Sequence, residues 1–160
     1  MSGDAASGEA VFTAKDSRIT TNQGDSFYVT NTTATINLEN NEIVNNDASG
    51  NFLRIQQDAW GNSGSNGGVV TLNMKNQKAS GAIVVDSISS LTMKLTSGSS
   101  FTGVINSDNA GGVELSLDAS STLTLTGDTY VKSLSNADAS NSNIHLNGHK
   151  LYVNGVELTK

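Results

Sequence analysis

The chain has 160 residues, with nine Lys plus Arg against fifteen Asp plus Glu, a net charge of −6, and neither cysteine nor proline. That length suits one domain around one core, and the acidic balance excludes binding by phosphate-backbone neutralisation, so no nucleic acid is expected as a partner. Lack of cysteine excludes disulfides, thiolate zinc sites and a thiol nucleophile, and no apolar run is long enough to insert into a membrane.

Apolar residues supply 36% of the chain and aromatic residues 5%, which suits a thin core of small aliphatic side chains. With proline absent, frequent turns fall to Gly, Asn and Asp. The opening MSGDAASGEA has neither the basic nor the apolar segment of a signal peptide. Residues 1–9 read as a flexible or vector-derived tail, and residues 10–160 as the folded domain.

From residue 10 onward, apolar and polar residues alternate in short segments, as half-buried strands require. The inward sets are Ala10, Phe12, Ala14; Ala34, Ile36, Leu38; Val70, Leu72, Met74; Leu91, Met93, Leu95; Val113, Leu115, Leu117; and Ser142, Ile144, Leu146. Their central residues are separated by 24, 36, 21, 22 and 29 positions, giving a minimal repeat of about 21 residues. Seven or eight positions after each centre comes a second column, Ile19, Ile43, Ala79, Phe101, Leu123 and Leu151. A third follows at 27–29, 52–55, 83–85, 104–105 and 130–131. Asn40, Asn76, Ser97, Ala119 and Gly148 form a column of expected bends.

Three short strands per repeat predict an all-β fold, a single-stranded right-handed parallel β-helix, or β-solenoid, of about six coils. Stacking at about 4.8 Å would make a rod roughly 30 Å long. An antiparallel sandwich is the competing architecture, with similar alternation and turns. Asn147-Gly148 and Asn154-Gly155 are hairpin dipeptides and predict a C-terminal capping meander. The N-terminal end shows no such device, which favours adjoining domains of a longer parent chain.

The segments VTNTTATINLENNEI, QQDAWGNSGSNGG, SSLTMKLTSGSSFTGVIN and LTGDTYVKSLSNADASNSNIHLNGHKLYVNGVEL, within residues 11–158, resemble the repetitive, pectin-lyase-like and adhesin-like β-helix regions of large bacterial surface proteins, especially of gut Firmicutes. The resemblance implies an extracellular or cell-surface setting and a host or microbial glycan or surface protein as partner.

The outward columns test for chemistry. They read Thr35, Thr71, Thr92, Glu114, Asn143 and Asn37, Asn73, Lys94, Ser116, His145. Glycoside hydrolysis needs two carboxylates across a sugar bond, and lyase chemistry a base supported by cations. One Glu and one Lys supply neither, so no catalytic residue and no cofactor is expected. Arg18 and Arg54, the only arginines, lie in different columns and give an anionic sugar little fixed charge. His145 and His149 flank a turn and read as surface histidines, not metal ligands. The acidic turns at 45–47, 108–109 and 138–143 lack a defined calcium-loop pattern. The broken threonine column argues against an ice-binding face.

Trp60, in a Gly-rich excursion, is the candidate binding residue. Its ring either stacks on a sugar, with Asp58 and Asn62 beside it in the 57–68 loop, or folds back to anchor that loop. The expected function is a non-catalytic structural or adhesin-like module, with glycan binding as the alternative.

Overall fold

Alternation decides the first strands: in Thr32–Glu39, Ala34, Ile36 and Leu38 are buried while the residues between them are not. A computed structural model describes residues 9–160 and shows parallel strands stacked as a β-helix, without α-helix. The expectation of a separate tail therefore falls almost wholly outside the described residues.

One face is a six-stranded parallel sheet: β1 (Ala10–Lys15), β4 (Thr32–Glu39), β7 (Gly68–Lys75), β9 (Ser90–Thr96), β11 (Gly112–Leu117) and β14 (Ser133–Asn136). In register, Phe12, Ile36, Leu72, Met93, Leu115 and Leu134 form one inward column. The first five expected sets are therefore aligned as read.

The sixth set is corrected. Ile144 lies in β15 (Ile144–His145) and pairs with Leu123, so it belongs to the second face. Leu134 takes its place on the first. Asn143 and His145 likewise leave the first-face outward columns, where Ser133 and Ser135 pair with Glu114 and Ser116. Leu151 lies in β16 (Leu151–Val153) on the third face, paired with Thr129.

The second face has two parts. β2 (Arg18–Thr21) and β5 (Glu42–Asn45) form a separate two-stranded sheet. β8 (Lys78–Val85), β10 (Ser100–Ile105), β12 (Thr122–Leu125) and β15 continue as a ladder that also carries β6 (Leu53–Ile55) and β3 (Phe27–Val29). This is possible because β8 turns the corner unbroken: its first half pairs with β10, and Ile83–Val85 also pair with Leu53–Ile55. Gly81, at φ 128°, makes that corner. Gly103 pairs with it, and a Cβ there would come within 1.9 Å of the Gly81 carbonyl oxygen, so bulk is excluded at this close approach.

Coils one and two instead bulge at this corner, and aromatic rings fill the space. Phe12, Phe27, Phe52 and Phe101 form a chain with centroid separations of 5.6, 5.7 and 5.6 Å. Edge-on and tilted contacts of this kind add to the burial of the rings. Phe52 and Phe101 are fully enclosed, while Phe12 at the N-terminal end is 36% exposed.

Asp16, Asn40, Asn76 and Ser97 end the first-face strands with φ between 45° and 57°, a left-handed bend. The expected bends at Asn40, Asn76 and Ser97 are present; those at Ala119 and Gly148 are not in this column. After β11 an aspartate-centred turn replaces it, and Asn147-Gly148 turns between the second and third faces. Of the two hairpin dipeptides, only Asn154-Gly155 closes a hairpin, bringing β17 (Val156–Glu157) antiparallel to β16. β13 (Thr129–Val131) pairs with β16 on its other side.

A buried polar file follows the first corner. The Ser17 amide donates to Asn41 Oδ1 at 3.0 Å, Asn41 to Gln77 Oε1 at 2.8 Å, Gln77 to Ser99 Oγ at 3.1 Å and Ser99 to Ser121 Oγ at 3.2 Å. Asn143 Nδ2 then donates to the Ser121 carbonyl at 2.9 Å. Each corner leaves amides without a strand partner, and a side chain from the following coil satisfies them.

Candidate functional site

The 57–68 loop leaves the coil stack after β6, and a buried asparagine fixes its shape. Asn66, 2% exposed, donates through Nδ2 to the Asp58 carbonyl at 2.7 Å and the Trp60 carbonyl at 2.9 Å. Its peptide carbonyl accepts from the Asn31 amide at 2.9 Å, tying the loop to the preceding coil. A turn from the Ser65 amide to the Asn62 carbonyl, 2.8 Å, closes the tip.

Trp60 is 38% exposed. Asn66 holds the loop through the backbone carbonyls of Asp58 and Trp60. Asp58 is engaged within the fold: Oδ1 accepts from the Ala59 amide at 2.6 Å and Oδ2 from the Tyr28 hydroxyl at 2.7 Å. The Ala59 amide first, then the Tyr28 hydroxyl, hold its carboxyl below the usual range. Asn62 is exposed at the tip. The three residues share one loop, with Asp58 already committed to Tyr28.

Tyr28 also carries the Arg54 guanidinium, whose carbon lies 4.0 Å from the ring centroid. Arg54 Nε meets Asp25 Oδ2 at 2.5 Å, and the Asp25 side chain is only 7% exposed. Asp25 Oδ1 accepts from the Asn51 amide and Nδ2 at 2.9 and 2.8 Å. Asp25, Arg54, Tyr28 and Asp58 thus form one continuous polar chain beneath the loop. Sequence reading singled out Arg54 only as an isolated charge; its partners lie 26 to 29 residues away and carry no local signal.

The first-face exterior is hydroxyl and amide. Asn73 Nδ2 donates to Asn37 Oδ1 at 2.8 Å, and Asn37 Nδ2 to Thr13 Oγ1 at 3.2 Å, an amide ladder along the rod. Glu39 sits between Lys15 and Lys75 at 3.1 and 3.5 Å. Glu9 accepts from the Thr35 hydroxyl. His149 Nδ1 lies 4.0 Å from Asp128, while His145 is on the second face. No cluster of three metal-ligating side chains occurs among the described residues.

No family model matches the chain, and neither a curated protein nor a solved structure matches it.

A groove lies on the second face, where the β2–β5 sheet stops short of β8. It encloses about 480 Å³ and is lined in part by Asn41, Glu42, Ile43, Lys78, Ala79 and Ser80. Sequence reading missed it, because nothing in the residues of β5 or β8 announces that the two strands do not pair.

Proposed function

We propose that the chain is a non-catalytic structural, adhesin-like β-helix module of a bacterial surface protein, acting outside the cell as a rigid scaffold that displays loops of differing length. The observation that carries this reading is the 57–68 loop, the longest excursion, which is fixed to the coil stack through Asn66 while its tip residues face solvent. A rigid base with exposed tips lowers the ordering cost of contacting another surface.

The test is adhesion. Beads carrying the protein are compared with beads carrying a variant in which residues 57–65 are replaced by a Gly-Ser linker, against host and microbial cells. Loss of adhesion with a folded coil stack supports the reading. Release of sugar products from uronate-containing polymers by purified protein would overturn its non-catalytic part.

The exposed indole of Trp60 favours a second reading, a glycan-binding module using Trp60, Asp58 and Asn62. Reproducible glycan-array binding abolished by Trp60→Ala would support it. Unchanged binding in that variant would remove Trp60 from the site.

A further inference from the structure

On the third face the last two coils bring a pair of tyrosines together. Thr129 and Val131 of β13 and Leu151 of β16 are buried, so alternation turns Tyr130 and Tyr152 outward. The two strands run parallel, with Tyr130 directly opposite Tyr152. Their rings lie face to face, centroids 4.8 Å apart and planes 6° from parallel. The phenylalanine pairs of the core meet edge-on or tilted instead, at 53° to 77°. Like side chains in register on neighbouring strands have thus laid one phenol over the other at close to the strand spacing.

Both rings are half-buried, and solvent reaches their edges. Competing oxidisable groups are few. The chain has no cysteine, and Met74 and Met93 are buried. The third tyrosine, Tyr28, lies in β3 of the first coil with its hydroxyl bound to Asp58. Trp60 is the exposed competitor.

We propose that Tyr130 and Tyr152 are a site of oxidative cross-linking, joined by hydrogen peroxide acting through a haem peroxidase into a dityrosine that staples the sixth coil to the fifth. Each phenol gives up one electron and its hydroxyl proton, and the two phenoxyl radicals bond Cε to Cε. The hydrogen on each joined carbon then leaves as a proton, and each phenolic oxygen takes one back. In all, two hydrogen atoms leave the protein and one peroxide becomes two waters. The stack replaces a chance encounter between residues 22 apart in the chain with a preset one. The site does not rest on the reading of the chain as a surface module.

The experiment treats the intact protein, dilute, with hydrogen peroxide and a haem peroxidase, and follows blue dityrosine emission and the masses of tryptic peptides. The expected product is a monomer in which residues 95–132 are joined to residues 151–160 with the loss of two hydrogens. Tyr130→Phe and Tyr152→Phe should each remove it, and Tyr28→Phe should leave it. In urea, where the stack is gone, the yield should fall at least about tenfold. The Thr129 and Asn154 amides bond across the two coils to the Lys150 and Val131 carbonyls, each at 2.9 Å. In the joined protein they should exchange at least about tenfold more slowly. The proposal is overturned by a link found solely between two molecules, by product that survives in either Phe variant, or by equal yield in urea. Oxidation confined to Trp60, seen as added oxygen, would overturn it as well.

Discussion

Asp118 in the fifth coil accepts a hydrogen bond from the Ser97 backbone amide of the fourth, with Oδ2 2.6 Å from the nitrogen. Its Oδ1 takes the Ser120 amide and hydroxyl at 3.0 and 2.8 Å. Asp47 repeats the arrangement, with Oδ2 on the Gly24 amide at 2.7 Å and Oδ1 on the Ser49 amide and hydroxyl at 2.9 and 2.7 Å. Both belong to an Asp-Ala-Ser tripeptide, and Asp138-Ala139-Ser140 is a third. One carboxylate shapes its own turn and, at Asp47 and Asp118, ties down the coil before it.

These carboxylates make the rod acid-sensitive. The Gly24 amide, then the Ser49 hydroxyl and amide, hold Asp47 at about 2. At Asp118 burial pushes upward, but the Ser97 amide and the Ser121 and Ser120 groups outweigh it and leave the carboxyl at about 2. The Ser140 and Ser142 hydroxyls lower Asp138 further. In the unfolded chain such groups titrate near about 3.9. Because the folded values are depressed, their contribution is full above about pH 4 and is lost as pH falls toward about 2. Thermal melts followed by circular dichroism should show the loss in that window. Asp118→Asn should melt lower at pH 7 and lose less on acidification; a parallel acid loss in variant and parent would contradict this.

The aromatic chain gives a graded prediction. Phe52→Ala should cost about 3–5 kcal/mol, because the ring is 2% exposed and lies between two others. Phe12→Ala, at a ring 36% exposed, should cost markedly less. Urea titration of both variants provides the comparison, and equal losses would show that the end coil is as tightly packed as the middle.

Gln77→Leu should be the most damaging conservative-volume change in the polar file. It strips the buried amide and carbonyl of Asn41 of their partner, at about 1–3 kcal/mol for each unsatisfied group. Ser99→Ala removes the acceptor of only the Gln77 amide and should cost roughly half as much. Faster hydrogen exchange at the Asn41 amide in Gln77→Leu, but not in Ser99→Ala, checks the assignment.

The long loop separates display from support. Trp60→Ala should change unfolding free energy by no more than about 0.5 kcal/mol, as an exposed substitution does. Asn66→Ala leaves the Asp58 and Trp60 carbonyls without their donor and should cost about 1–3 kcal/mol. Acrylamide quenching of Trp60 emission should rise in Asn66→Ala as the loop loosens.

Where coils are long and regular, the sequence is legible: strict alternation in Thr32–Glu39 and Gly68–Lys75 leaves one choice of buried face, since a one-residue slip would expose all of it. It misleads at β14, where Leu134 is the single apolar residue in Ser133–Asn136. An end coil buries little, so Ile144 and Leu146 carry the stronger pattern although Ile144 packs on another face. Asn41, Gln77 and Asn66 escape for the opposite reason. Polar residues are read as surface, yet each is buried because it pairs with backbone that no strand can reach. Trp60 draws notice as the lone tryptophan, while the asparagine that holds its loop gives no such signal.

The antiparallel closing strand gives the rod a mechanical polarity. Ladder hydrogen bonds run along the rod axis, so a pull on the C-terminus loads them one coil at a time. It peels β17 from β16 before any parallel coil opens. Val70 and Leu91, paired across adjacent coils, are 21 residues apart. Each released coil of that size would lengthen the chain by about 70 Å when extended. Under tension this architecture is a stepwise spool whose slack is released coil by coil, in lengths set by the size of each coil, with the hairpin at Asn154-Gly155 as its first catch.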